Sequence, residues 1–174
     1  MLEGININLR VMEEEDIILF HEWNNRIDFG VYTKVRQNSK EELEKRLKEI
    51  SDDMKFFIIE KKDGTKIGFI NYFVNKLYNF IEIGFLLIPF ERKKGYCTEA
   101  VKILVDFLFL SKDIVRIQAG TDKKNLASQR VLENAGFTKE GIMRKMIFIR
   151  GNWTDSVIYS ILRDEWQEPK ILKV

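Results

Sequence analysis

The stretch from Phe80 to Leu110 constrains the fold more than any other. Phe80 to Ile88 is a run of apolar, β-prone residues. It ends at Pro89, which cannot donate to a sheet ladder. A basic loop with one glycine follows, Arg92-Lys93-Lys94-Gly95. Thr98 to Leu110 then puts Val101, Leu104, Val105 and Leu108 on one helical face. A strand feeding a helix so directly buries both only if the helix folds back over a sheet.

The residues before this stretch supply that sheet. Ile5, Ile7, Leu9 and Val11 alternate with polar residues, the period of a half-buried strand. Glu13 to Asp16 reads as an acidic helix start, with Ile17, Phe20 and Trp23 near helical spacing. Residues 24–38 show no clean period and read as a loop with a short turn. Ser39 and Glu42 form a capping box, followed by a stripe of Leu43, Leu47 and Ile50. Phe56 to Glu60 and Ile67 to Val74 flank Asp63-Gly64 and read as a hairpin. Asn75 to Asn79 turns the chain into Phe80 to Ile88, which completes an antiparallel meander.

After the helix the pattern is β, α, β. Val115 to Ala119 reads as a strand. Leu126 to Ala135 reads as a helix, with Gly136 at the left-handed position beyond its end. Phe137 opens a further strand. Met146 to Ile149 and Val157 to Leu162 flank Arg150-Gly151-Asn152-Trp153 and read as a closing hairpin. The expected architecture is α/β: one mixed, mostly antiparallel sheet with helices on both faces, in a single domain over residues 1–174.

Composition excludes several functions. Net charge is +2, too small for a general nucleic-acid binder, which must neutralise many phosphates. Cys97 is the only cysteine and His21 the only histidine, which excludes an internal disulfide and cysteine- or histidine-rich metal sites. No metal is expected. No nucleophile elbow accompanies His21, which reads as a packing or surface residue. The N-terminus lacks a signal-peptide pattern, and no apolar run reaches about 18 residues. The chain is therefore expected to be soluble and cytoplasmic, with no membrane partner. Its aromatic content leaves room for a homodimer surface.

The basic loop is where chemistry is expected. Amides at a helix N-terminus lack intrahelical partners and carry the positive end of the dipole. They form an anion site suited to a pyrophosphate. Gly95 allows close approach, and Arg92, Lys93 and Lys94 add charge. A solvated basic loop is the alternative. The loop is neither a Walker motif nor a dinucleotide fingerprint.

Arg92-x-x-Gly95-x-Cys97 resembles the Arg/Gln-x-x-Gly-x-Gly/Ala loop of the GNAT superfamily of acetyl-CoA-dependent N-acetyltransferases. Glu82-Ile-Gly-Phe-Leu-Leu-Ile-Pro before it resembles that superfamily's central strand. Thr121 through Phe137, with Leu132-Glu-Asn-Ala-Gly136-Phe137, and Glu140-Gly141 after it resemble the same superfamily. Gly151-Asn-Trp153-x-Asp155 through Trp166 resembles one of its branches, the RimJ/RimL-type ribosomal-protein N-terminal acetyltransferases, which also place a serine as in Asn125-Leu-Ala-Ser128. The resemblance runs from about residue 5 to 166.

The resemblance implies acetyl-CoA as donor, direct transfer to an amine, and a sheet splayed at its central strands. Arg92, Lys93, Lys94, Gly95, Tyr96, Cys97 and Thr98 would hold the pyrophosphate. Phe85, Leu86, Leu87 and Ile88 would bind the pantetheine arm through their main chain, with the Leu87 N–H on the developing oxyanion. Many members place a tyrosine acid where this chain has Leu132. Here Ser128 would instead hydrogen-bond the leaving sulfur, and Asn125 would bind the pantetheine; ordinary helix capping is the alternative for both. Glu82 is the candidate base, against a water relay or an outward-facing strand residue paired with lysine.

Cys97 stands where the family has Gly or Ala. A small residue beside the pyrophosphate is the simple reading, and a covalent acetyl-cysteine route is the other. Trp23, Phe29, Tyr32 and Asp155 would line the acceptor groove, although core packing would also account for the aromatic residues. The acceptor implied is a protein N-terminus, ribosomal or otherwise. A small amine such as a polyamine, amino acid or aminoglycoside is the alternative, and a catalytically silent acetyl-CoA sensor a third.

Overall fold

The structure, a computed structural model, describes residues 1–34, 37–48 and 51–172. Eight strands form one sheet in the order β1-β2-β3-β4-β5-β6-β8-β7. They are β1 (Leu2–Glu3), β2 (Ile7–Val11), β3 (Met54–Lys61), β4 (Lys66–Asn75), β5 (Phe80–Leu87), β6 (Arg116–Asp122), β7 (Thr138–Ile149) and β8 (Asn152–Leu162). The helices are α1 (Ile17–Arg26), α2 (Lys40–Lys48), α3 (Tyr96–Ser111) and α4 (Leu126–Asn134). Every strand pair is antiparallel except β5–β6.

The two faces of the sheet build two cores. On one, Ile70, Tyr72, Ile81, Ile83 and Leu87 pack with Ala100, Leu104 and Leu108 of α3 and Leu132 of α4. On the other, Met12, Trp23, Phe29 and Ile58 are buried, with Phe20, Phe56, Phe69 and Leu86 packed against them. Phe20 of α1 meets Phe69 edge-on at a ring separation of 4.9 Å. Period-two alternation in the strands therefore feeds both layers, and helices cover both faces as expected.

Several elements differ in extent from the sequence reading. Ile5 is 74% exposed and lies outside β2, because Gly4 N–H donates to Ile7 O and closes a tight turn. Buried Glu99 of α3 fastens that turn by accepting from the amides of Asn6 and Ile7. The strand opened at Phe137 and the segment Met146 to Ile149 are one strand, β7, irregular between Met143 and Ile147. Its hairpin is tighter than expected. Arg150 (φ 47°) and Gly151 (φ 82°) are both left-handed, the requirement of a two-residue turn matching strand twist. The α2 capping box forms, Glu42 N–H donating to Ser39 Oγ and Ser39 N–H to Glu42 Oε2, and Leu43 is buried. Ile50 and the Leu47 side chain lie outside the described residues.

Asp16 starts the helix as the acid cluster indicates, and it is also a buried ion-pair centre. It is fully buried and accepts from Arg10 (2.8 and 2.9 Å), Lys66 (2.7 Å) and the Glu13 amide. Burial alone would raise its pKa. The bonds from Arg10, Glu13 and Lys66 outweigh that and hold it down at about 2. A depressed carboxyl stabilises the fold above its unfolded pKa of about 3.9, and this is lost as pH falls towards 2. Asp16→Asn should therefore lower stability by about 3 kcal/mol at neutral pH, since Arg10 and Lys66 lose their shared counter-charge. The deficit should shrink between pH 4 and 2 in urea titrations. An equal deficit at pH 2 and pH 7 would remove the ion-pair explanation.

Candidate active site

The parallel pair β5–β6 is registered only at Ile81↔Ile117 and Glu82↔Gln118. Beyond it β5 runs on to Leu87 and β6 to Asp122 without pairing to each other, so the sheet opens into a V between their C-terminal ends. Ile88 N–H donates to Ile67 O of β4. Strand alternation then turns the main-chain groups of Leu86 and Ile88 towards β4, and those of Phe85 and Leu87 into the gap. Of the four residues expected to hold a pantetheine arm, two have the right main-chain direction. The amides of Leu86 and Ile88 point the other way.

The loop after β5 closes the end of the V. A 3₁₀ turn at Pro89–Glu91 leads to Lys93 (φ 64°) and Gly95 (φ 84°), both left-handed. The first helical bond of α3 is Glu99 N–H to Gly95 O, and no side chain caps the helix. The amides of Tyr96, Cys97 and Thr98 thus have no intrahelical acceptor. A Cβ on Gly95 would meet nothing within 4 Å, so the glycine faces open space at the amide cluster. α3 begins two residues earlier than the periodicity indicates, and this brings Tyr96 and Cys97 into its first turn.

The basic side chains divide. Lys94 is paired with Glu91 at 2.9 Å, and that bond raises its pKa. Lys93 is exposed and makes no ion pair among the described residues. Arg92 folds back as a strap. Its guanidinium donates to Leu87 O at 3.1 and 3.2 Å and to Phe29 O at 3.0 Å. It therefore occupies the Leu87 carbonyl, leaves the Leu87 N–H facing the gap, and ties the cofactor loop to the segment after α1.

Burial pushes the Cys97 thiol up to about 12, and the nearby Arg92 charge offsets this only in part. A protonated thiol is a poor nucleophile. Cys97→Ala should keep most activity, and complete loss in a thiol-release assay would restore the covalent route.

Across the gap, β6 leads to α4. Asn125 caps it, with Oδ1 accepting from Ser128 N–H at 3.3 Å and Nδ2 donating to Ser128 Oγ at 2.9 Å. Capping is thus real, and it also orients the serine. Because Oγ accepts from Asn125, the hydroxyl hydrogen stays free to donate elsewhere. Leu132 is 1% exposed and belongs to the core.

Glu82 lies on the α1 side of β5, half-buried, with no hydrogen bond or ion pair among the described residues. Burial raises its pKa. The lysine partner that would have made it an ordinary strand residue is absent among the described residues. Of the expected groove residues, Trp23 and Phe29 are 4% and 9% exposed and pack with Met12 and Ile58. They build the core under the groove rather than its lining. Tyr32 is 40% exposed. Asp155 accepts from the Lys145 amide at 3.1 Å and pairs with Lys123 at 3.4 Å. The Lys145 amide is the main reason its pKa is lowered. Asp155 pins the β7 irregularity, where Lys145 is left-handed (φ 52°).

Two contacts had no local signal. The β7–β8 hairpin runs past the end of β6, and its tip returns to the segment after α1 through Arg150 and Asp28 at 2.7 Å. Asn71 of β4 faces Gly84 across the ladder. An asparagine inside an apolar strand opposite a glycine was the available clue.

An open-ended V beside a helix start with free amides offers room for an anion at the amides and for an extended arm between two strands. Residues 6–138 match the acetyltransferase (GNAT) domain family. The chain is 34% identical over 180 residues to the probable N-acetyltransferase YjcK of Bacillus subtilis, covering 95% of this chain and 98% of that one. It belongs to the GNAT acetyltransferase family. Its fold matches the spermidine N-acetyltransferase of Vibrio cholerae in complex with CoA and spermine, with a TM-score of 0.84 and 21% identity over 94% of this chain and 99% of that one. It also matches the RimL ribosomal alpha-N-protein acetyltransferase in complex with coenzyme A, with a TM-score of 0.85 and 19% identity over 94% and 98%. The protein is an N-acetyltransferase that uses acetyl-CoA.

The residues present fit that cofactor. Three free amides and an open glycine suit the pyrophosphate, and a gap lined by Phe85 and Leu87 main chain suits the arm. No helix among the described residues is long and apolar enough to cross a membrane.

Proposed function

We propose that this enzyme acetylates the N-terminal amine of a protein chain, ribosomal proteins being one class of acceptor. The pairing state of three carboxylates, Asp28, Asp155 and Glu82, carries this reading. Asp28 is neutralised by Arg150, and Asp155 by Lys123 and the Lys145 amide. On the α1 face of β5, Glu82 has no countercharge among the described residues. One free carboxyl suits one amine. A polyamine carries several cations and needs several unpaired acids to hold them.

Acetyl-CoA, when bound, supplies the thioester acetyl group. Tyr96, Cys97 and Thr98 hold its phosphates through their amides, with Lys93 adding charge. The Phe85 and Leu87 main chain directs the arm along the V. Glu82 accepts a proton from the incoming ammonium at a carboxylate oxygen, a task its burial suits. The Leu87 N–H is fixed towards the gap, where it can donate to charge developing on the acyl oxygen. Ser128 Oγ, held by Asn125, donates its hydrogen towards the departing sulfur.

The direct test is thiol release from acetyl-CoA with Ser- and Ala-starting peptides beside spermidine and other small amines. Turnover with the peptides and none with spermidine is the expected result. Turnover with spermidine alone overturns the acceptor assignment. Tight acetyl-CoA binding with no turnover on any amine would establish a sensor instead.

Ser128→Ala should lower kcat by roughly 10- to 100-fold with little change in acetyl-CoA affinity, since it removes a hydrogen bond to developing charge. A matching loss of affinity would mark Ser128 as a cofactor-binding residue only.

A further inference from the structure

On the α1 side of the sheet, β3, β4 and β5 form a floor of paired residues. Phe56 lies opposite Asn71, Asn71 opposite Gly84, Phe69 opposite Leu86, and Phe73 opposite Glu82. At its centre Asn71 and Glu82 are the polar groups, and the residues around them are Phe56, Phe69, Phe73, Leu86 and Gly84. A carboxamide among phenylalanines with nothing to bond is unfavourable unless something else bonds it. The Asn71 side chain is half-buried and makes no hydrogen bond among the described residues.

Its direction is informative. A Cβ placed on Gly84 would lie 3.0 Å from Asn71 Oδ1, against 3.8 Å from Nδ2. The carboxamide therefore leans across β5, and glycine at 84 makes room for it. Asn71 and Glu82 are diagonal neighbours on adjacent antiparallel strands, about 7–8 Å apart at Cα and less at their tips. A nitrogen that donates to two acceptors at about 2.9 Å each bridges such a gap. Glu82 lies in the last β5–β6 pair, at the apex of the V, and Asn71 leans towards it over Gly84. The Leu87 N–H lies three residues beyond Gly84, on the edge of β5 that faces the gap.

We propose that Asn71 is the second acceptor-binding residue: its Oδ1 takes one N–H of the substrate amine while Glu82 takes another. Once Glu82 has taken the extra proton of the ammonium, the neutral amine keeps two N–H bonds. With Asn71 Oδ1 accepting one and a Glu82 oxygen the other, the lone pair released by deprotonation can turn to face the V. Gly84 serves the same contact by leaving space for the carboxamide. This rests on the reading of Glu82 as the amine-facing carboxyl, and it deepens that reading.

The test uses whichever amine turned over in the acceptor panel. A small-amine result there overturns the protein N-terminus assignment and leaves this experiment intact. Asn71→Leu keeps nearly the same volume and removes both polar atoms. It should reduce kcat/KM for the acceptor by ~10- to 100-fold, the scale of a lost hydrogen bond to a charged group. KM for acetyl-CoA should stay within about twofold. The melting temperature should hold or rise, because the amide has no intramolecular partner to lose. Gly84→Ala should displace the carboxamide and lower the same parameter several-fold, and that loss should vanish in the Asn71→Leu background. Unchanged acceptor kcat/KM in Asn71→Leu overturns the proposal. So does a parallel fall in melting temperature or acetyl-CoA affinity, which would mark a packing role. Additive losses in the double variant overturn the part assigned to Gly84.

Discussion

Gly95→Val is expected to weaken acetyl-CoA binding by at least ~100-fold, about 3 kcal/mol, while the folded enzyme survives. Two effects act together. Gly95 sits at φ 84°, where a β-branched residue is strained by about 1–2 kcal/mol. The loop relieves that strain by rotating the peptide that presents the first amides of α3. The added side chain also projects into space where no protein atom lies within 4 Å, the space an anion must enter to reach those amides. The absence of protein contacts separates the two consequences: folding loses little beyond the strain, and cofactor binding loses most. Calorimetric titration with acetyl-CoA, beside thermal melts of the same sample, checks both. Unchanged affinity would falsify the loop assignment. Gly95→Ala should fall between, with the strain but a smaller obstruction.

Glu82→Gln is expected to reduce kcat/KM by about 100- to 1,000-fold at neutral pH, the range of a lost general base. Glu82 works as the carboxylate, and burial disfavours that form. It therefore ionises above the ordinary glutamate value of about 4.3. Wild-type kcat/KM should rise with pH through the raised value, and the Gln variant should lose that rise. Stability should move the other way. An acid whose folded pKa is raised stabilises the fold only below that pH range and opposes it above. The variant should thus hold or gain melting temperature at neutral pH while losing activity. A retained pH limb in the variant would point to a water relay without Glu82. The two experiments are independent, because Gly95 acts on the donor at the loop and Glu82 on the acceptor across the sheet.

Much of the fold was legible because its signals are local. The turn at Asp63-Gly64, the capping box of Ser39 and Glu42 and the left-handed Gly136 each act within a few residues, and each formed as read. The strand–loop–helix at Phe80 to Leu110 was legible for the same reason. Helix starts were less so. Tyr96 and Cys97 do not enter the apolar periodicity of α3, yet they make its first turn. Ile5 shows the limit of period two: it continues the alternation and still falls in a turn, because Glu99 of α3 captures the amides beside it.

The site divides in the same way. By itself the sequence determined that a glycine-bearing basic loop opens a helix, that Glu82 sits on the strand before it, and that Asn125 and Ser128 begin a later helix. These depend on spacing along the chain. Only the tertiary structure decided what each side chain meets. It turned Arg92 back onto Leu87 and Phe29, sealed Trp23 and Phe29 into the core, paired Asp28 with Arg150 and left Glu82 and Asn71 without partners among the described residues. The reason is physical. A charge or amide is set by neighbours within a few ångströms. For this site they come from strands, loops and hairpins far apart in the chain, brought together by burial of the two cores.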